Sequence, residues 1–118
     1  MKVLRIVTNI ATSNISAAKQ FYQDILGLDP LMDQGWIATY GSNEKMNVQI
    51  SFASQGGSET TTPDISIEVD DVDIAHELMK KAGFSIEYGP VDETWGVRRF
   101  YVRDPFGKLV NILAHKSL

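Results

Sequence analysis

The chain has no cysteine, which removes disulfides, thiolate nucleophiles and cysteine-ligated zinc or iron–sulfur centres in one step. Only two histidines occur, His76 and His115. No run of basic residues is present and the formal net charge is −4, so the electrostatic footprint of nucleic-acid binding is missing and no such partner is expected. No apolar run approaches about 18 residues, and the N-terminus lacks the charged-then-apolar pattern of an export signal. Neither membrane insertion nor secretion is expected, and a cytoplasmic location is. Ser-His-Asp sets, phosphate-binding glycine loops and His-Glu-x-x-His are also missing.

What remains is 118 residues with 43% hydrophobic content, ordinary for one domain or for two very small halves sharing a core. The most informative stretch is Arg103-Asp-Pro-Phe-Gly-Lys-Leu-Val-Asn-Ile-Leu113. Asp104, Pro105 and Gly107 stand where a type I turn wants a capping side chain, a preset φ and a residue tolerant of positive φ. Phe100 and Val102 before it and Val110 and Ile112 after it alternate, as in two antiparallel strands with one face on a core. Leu109, Asn111, Leu113 and His115 then share the opposite face.

From the start, Lys2 to Ile10 alternates, with Leu4, Ile6 and Ile10 on one side, and predicts a half-buried strand. Ser13 or Asn14 caps a helix of about three turns carrying Ala18, Phe21, Tyr22 and Ile25 inward, and Gly27 stops it. Leu28 to Met32, Trp36 to Tyr40 and Met46 to Phe52 are short strand candidates between turns. Residues 54–63 are small, polar and aperiodic, which predicts a linker or mobile loop. The pattern then restarts. Asp64 to Val69 alternates; Asp70 or Asp71 caps a helix with Val72, Ala75, Met79 and Ala82 inward; Gly83 ends it. Strands follow over Phe84 to Tyr88, Gly96 to Val102 and Lys108 to His115. This is an internal repeat of roughly 56 residues, with module 1 over 1–53, the linker over 54–63 and module 2 over 64–118 in a single domain.

In each module the helix covers one sheet face. The other face reads as Arg5, Val7 and Asn9; Asn47, Gln49 and Ser51; Asp64, Ser66 and Glu68; Arg99 and Tyr101; Leu109, Asn111 and Leu113. That set is too polar for a dry core, and a solvent-accessible cup that takes a ligand is the expectation.

These residues resemble the vicinal oxygen chelate superfamily, the relatives of glyoxalase, bleomycin-resistance proteins and extradiol dioxygenases. The likeness rests on Phe21-Tyr22 with Leu26-Gly27-Leu28, Val69-Asp70-Asp71, Ala82-Gly83, and Trp95-Gly96 leading into Phe100-Tyr101-Val102-Arg103-Asp104-Pro105-Phe106-Gly107. The resemblance implies an α+β fold of two paired βαβββ modules forming a cupped, mixed β-sheet barrel with the helices outside, commonly in homodimers. Metalloenzymes of that superfamily place His, Glu or Gln ligands on the first and last strand of each module. By spacing, those positions fall here on Val7, Gln49, Asp64 and Asn111. A valine, a carboxylate and two amides suit no common divalent site, so no tightly bound metal is expected.

On this reading Asn111 and Gln49 hydrogen-bond a ligand, or else each other or water. Glu68, if buried, is a candidate general base; otherwise it is solvated or paired with Arg5 or Arg99. An inward Arg99 suits a carboxylate-bearing ligand or forms an ion pair with Glu68. Trp36, Tyr40, Trp95 and Tyr101 either line an aromatic pocket or serve as dimer-contact or core residues, with Trp95 the best placed for a pocket, and His76 reads as an exposed helix residue. The expected ligand-binding set is therefore Arg5, Gln49, Glu68, Trp95, Arg99, Tyr101 and Asn111. The function it implies is the enclosure of a small organic molecule without a metal. The alternatives are a divalent-metal lyase, isomerase or dioxygenase of the glyoxalase I type, a metal-free enzyme using Glu68, or an interaction module whose sheet face builds a dimer.

Overall fold

The computed structural model describes residues 4, 5, 7–45 and 51–116. The chain divides into two compact units, Met1–Ser54 and Gln55–Leu118. Among the described residues there are six strands, in one two-stranded and one four-stranded sheet.

In the first unit a short 3-10 turn over Ile15–Ala17 runs into a wide, π-type helix over Lys19–Ile25. The Leu26 N–H reaches the Phe21 carbonyl five residues back at 3.2 Å, and Lys19 pairs with Asp24 across the same interval at 2.9 Å. The expected inward residues Ala18, Phe21 and Tyr22 are buried. Asn14 holds the cap position, but its side chain accepts from the Ser16 hydroxyl and makes no backbone cap bond. Gly27 takes φ 73 and ends the helix as its lack of a Cβ permits. Strands β1 (Asp29–Asp33) and β2 (Ala38–Gly41) then form an antiparallel hairpin.

The start of the chain differs from expectation. Residues 4, 5 and 7–10 form no strand, and Leu4, predicted inward, is 88% exposed. Alternation sorts side chains to two sides, but only a hydrogen-bonded neighbour makes the segment a strand, and these residues make no ladder with any described residue. Met46 to Ile50, with most of the predicted strand there, lies outside the described residues; Ser51 and Phe52, described, are not in a strand.

The second unit follows the predicted order of strand, helix and three strands: β3 (Ile65–Glu68), α1 (Val72–Lys81), β4 (Ile86–Asp92), β5 (Val97–Arg103) and β6 (Leu109–His115). Its sheet runs β3-β6-β5-β4, with β3 parallel to β6 and the other pairs antiparallel. β3 and β4 are its edges, so this sheet is mixed and not closed on itself. The Asp104 turn forms as its residues require. The Gly107 N–H donates to the Asp104 carbonyl at 3.1 Å, and the Asp104 carboxylate accepts from the N–H groups of Phe106 and Lys108 at 2.8 and 2.9 Å. That turn fixes the β5/β6 register, Arg103 opposite Leu109 through Val97 opposite His115.

Asp71 caps α1 by accepting from the Ile74 N–H at 3.1 Å. The helix buries Val72, Ala75 and Met79; Ala82, expected on the same stripe, lies just past its end and is exposed. His76 meets the Phe100 ring edge-on at 5.3 Å and is half-buried rather than exposed. One face of the sheet therefore gives Phe100, Val102, Val110 and Ile112 to the core, all with no measurable exposure, and leaves the other face to be covered by something else.

Candidate functional site

On that other face Arg99, Tyr101, Leu109 and Asn111 are also buried. Alternation along β5 puts Arg98 on the helix side, bonded to Asp73 and Asp92, and Arg99 on the opposite side. The Arg99 guanidinium is the hub. Its Nη1 donates to the Gly56 carbonyl at 2.7 Å and to the Tyr101 hydroxyl at 2.9 Å. Its Nη2 donates to Glu93 Oε2 at 2.9 Å and to the Gly57 carbonyl at 3.3 Å. Three rings surround the cation, with centroids 4.9 Å (Tyr101), 5.1 Å (Trp95) and 5.4 Å (Tyr88) away.

Glu93 reaches this point through a tight turn after β4. Its N–H bonds the Val97 carbonyl at 2.8 Å and its own carbonyl accepts from Gly96, leaving Trp95 half-exposed over the arginine. The Glu93 carboxylate also accepts from the hydroxyls of Ser58 (2.8 Å) and Tyr88 (3.0 Å). Burial raises its proton affinity, but the hydrogen bonds from Ser58 and Tyr88 and the charge of Arg99 together outweigh that, and the group sits below the usual glutamate value. Arg99 and Glu93 are both almost wholly withdrawn from solvent, their side chains 4% exposed. The pair is held by its other bonds, Glu93 accepting from Ser58 and Tyr88 and the two Arg99 Nη atoms donating to Gly56, Gly57 and Tyr101.

What covers this face is the chain itself. Residues 55–60, expected to link or to move, lie along β5. Gly56 and Gly57 present carbonyls to Arg99, Ser58 binds Glu93, and the Thr60 hydroxyl meets that of Tyr101 at 2.9 Å. A Cβ on Gly57 would come within 2.8 Å of the Trp95 ring, and the residue holds φ +84, so only glycine fits there. Beside this strap, Glu59, Thr60, Tyr88, Tyr101, Arg103 and Leu109 line a hollow of about 240 Å³.

Two buried polar atoms on this face have no hydrogen-bond partner among the described residues: Arg99 Nε and Asn111 Oδ1. The Asn111 amide nitrogen donates to the Ser66 hydroxyl at 3.1 Å, its strand neighbour across the parallel β3/β6 pair.

Three predicted site residues thus come together, Trp95, Arg99 and Tyr101, with Asn111 opposite Tyr101 on the next strand. Glu68 does not join them: it is exposed at the sheet edge and bonded to His115, so the burial a general base would need there is lacking. Arg99 pairs with Glu93 and not with Glu68. Arg5 is exposed and belongs to the first unit, as do Trp36, which is exposed, and Tyr40 in β2. Gln49 lies outside the described residues. Sequence reasoning missed Glu93, Gly56, Ser58 and Thr60. The adjacent glycines were the available signal, since they mark close backbone approach as readily as flexibility.

A search of the family models matches residues 3–112 to the Glyoxalase/Bleomycin resistance protein/Dioxygenase superfamily. The chain belongs to this superfamily. No curated protein matches the chain. Among solved structures, it is similar to TnmS3, an antibiotic binding protein from Streptomyces sp. CB03234, with 21% identity, 91% of each chain covered and a TM-score of 0.65. It is also similar to TioX from Micromonospora sp. ML1, at 20% identity over 97% of this chain and 98% of the other, TM-score 0.63. A superfamily member from Sphaerobacter thermophilus DSM 20745 shares 18% identity over 98% of each chain, TM-score 0.64. These likenesses establish the fold.

Metal-dependent members of the superfamily make a divalent ion the obvious group to test against the donors. Of the positions that the resemblance assigns, Val7 offers no lone pair. Asp64 Oδ2 already accepts the Leu109 N–H at 2.9 Å, Asn111 keeps its amide oxygen uncommitted while its nitrogen donates to Ser66, and Gln49 lies outside the described residues. Among the described residues no group of three or more His, Asp or Glu side chains converges. At those positions the described residues alone supply one carboxylate and one amide oxygen, too few to hold a divalent cation tightly.

Proposed function

We propose that this superfamily member binds a small organic molecule against the β4-β5-β6 face, in the cup of the sheet, without a tightly bound metal. The observation that carries the reading is the built polar assembly around Arg99. It combines a buried ion pair, three aromatic rings and two unmatched buried atoms, one donor and one acceptor, on a single sheet face. Buried polar atoms without partners are rare in folded proteins and mark a place where a guest or water completes the bonding. Aromatic walls with a few oriented polar groups are what small-molecule sites are made of. The antibiotic-binding relative from Streptomyces supports the same class of function.

We propose further that it works in the cytoplasm as a homodimer; Leu4, Trp36 and Phe52 of the first unit are each well exposed and are the apolar side chains a second copy would bury. Among the described residues no helix is long and apolar enough to cross a membrane. Light scattering after gel filtration measures the assembly, and a monomer at all concentrations removes that part.

Calorimetric titration of chelator-treated protein tests the binding itself. The probes are bleomycin as a cationic glycopeptide, 1-naphthoic acid as an aromatic acid and hippuryl-glycinamide as a neutral aromatic amide. Saturable binding of at least one is expected, and binding of none contradicts the reading. Elemental analysis of untreated protein separates it from the metalloenzyme alternative, which requires near-stoichiometric Ni, Zn, Mn or Fe.

A further inference from the structure

We propose that Gly56, Gly57 and Ser58 are a built-in surrogate for the ligand. The guest is then a neutral molecule with an aromatic group and two successive carbonyl oxygens, and it binds by displacing this strap. The proposal rests on the binding reading above and adds the chemical class of the guest and the route by which it enters.

The strap makes the bonds that such a guest would make. Two consecutive carbonyls sit on the two Nη atoms of Arg99 at 2.7 and 3.3 Å, and one hydroxyl donates to Glu93 Oε2 at 2.8 Å. Gly57 rests on the Trp95 ring, whose half-exposed face would otherwise be open to a flat group. Charge decides the rest. Arg99 and Glu93 cancel at 2.9 Å while withdrawn from water, so an incoming carboxylate or ammonium would be desolvated with no free counter-charge to meet it. Carbonyl acceptors and a hydroxyl donor match the pair without adding charge.

Size favours a strap that moves. With it seated, the neighbouring hollow is about 240 Å³, below the range of roughly 300–1,000 Å³ in which small-molecule sites fall. The strap is also built to leave as one piece. Gly56 N–H to the Thr60 carbonyl at 2.7 Å and Thr60 N–H to the Gly57 carbonyl at 2.9 Å close it into one loop, which Arg99 and Glu93 hold in that form and which loosens when it lifts off them. It carries two successive non-glycine residues at positive φ, Ser58 at 50 and Glu59 at 62. Such backbone is held in place by its surroundings and relaxes when they let go.

The test compares wild type with Gly57→Ala, whose added methyl meets Trp95 and unseats the strap. Hippuryl-glycinamide carries a benzoyl ring and successive amide carbonyls; hippuryl-glycine is its anionic counterpart. By removing the cost of strap opening, Gly57→Ala is expected to bind the neutral probe about tenfold more tightly or better than wild type does. In both proteins the anionic probe binds more weakly. In wild type, the neutral probe speeds hydrogen exchange at the Gly56 and Thr60 amides, a readout that does not depend on the variant folding well. Equal affinity in the two proteins, preference for the anion, or added protection of the strap amides would overturn the proposal. If bleomycin or 1-naphthoic acid binds while the neutral probe binds neither protein, the surrogate idea fails and the binding reading stands; if nothing binds either protein, both fail.

Discussion

Arg98 and Arg99 are neighbours on one strand, and the two faces they serve are covered in opposite ways. Arg98 reaches around the helix-covered face to Asp73 and Asp92, both well exposed, its own side chain 34% open to solvent. Arg99 lies at 3% exposure beneath a strap of its own chain, its charge matched by Glu93 and its hydrogen bonds ending on peptide carbonyls. Behind the helix, Phe100 and Val102 are buried by hydrocarbon, which needs only volume and shape. In front, Arg99 and Tyr101 are buried by polar groups, each needing a specific partner. Equal burial thus has two meanings on one strand. The helix-covered face holds the fold together, while the strap-covered face stores a set of hydrogen bonds that another molecule can take over.

Deleting bulk on the hydrocarbon side should have the largest effect. Phe100→Ala is expected to cost about 3–5 kcal/mol in denaturant unfolding, with the Ser58–Glu93 and Gly56–Arg99 contacts intact in the folded protein, as seen by amide exchange of the strap. On the polar side, Glu93→Gln removes the charge facing Arg99 but keeps its shape. A loss of about 2–3 kcal/mol is expected, and here the strap amides exchange faster than global unfolding allows. If both variants loosen the strap equally, the distinction between the faces is wrong.

The Asp71 cap belongs to the helix side alone. Asp71→Ala should cost about 1 kcal/mol and leave strap exchange in step with global stability. Smallest of all, Arg98→Ala should fall within about 1 kcal/mol, as exposed ion pairs do. A change at Arg98 as large as one at Glu93 would erase the contrast between the two arginines.

Acid offers a titration of the same contrast. Glu93 binds its proton less tightly folded than unfolded, so the folded state holds fewer protons and gains stability from this group at neutral pH. That contribution is fully present above the unfolded glutamate value of about 4.3 and disappears as pH falls through the lower folded value. The protection of the strap amides relative to their intrinsic exchange rate should therefore fall on acidification in wild type, and the acid-dependent part should be missing in Glu93→Gln.

Much of the second unit is legible in the sequence because its signals are local. Asp104, Pro105 and Gly107 specify a turn, the turn sets the register, and the register sends Phe100 and Val102 one way and Arg99 and Tyr101 the other. Asp71 and Gly83 likewise mark the ends of α1 from nearest neighbours alone. The opening residues show the limit of the same reasoning, since the alternation around Leu4 and Val7 names two sides but supplies no neighbouring strand. The partner of Arg99 was beyond such signals as well. Glu68 and Glu93 both lie near it in the pattern, and the tight turn that aims Glu93 inward is set by Gly96 and by the strap. Gly56 and Gly57 read as slack because nothing in their own sequence says what they touch.

The most direct measurement is calorimetry of chelator-treated protein with whichever of bleomycin, 1-naphthoic acid and hippuryl-glycinamide binds best, repeated with added Mn²⁺ or Ni²⁺ and with Trp95→Ala. Saturable binding that is unchanged by the ion and lost or much weakened in Trp95→Ala is the predicted result. Binding that appears only once the ion is added, or that ignores the loss of Trp95, would contradict an organic guest held on the Arg99 face.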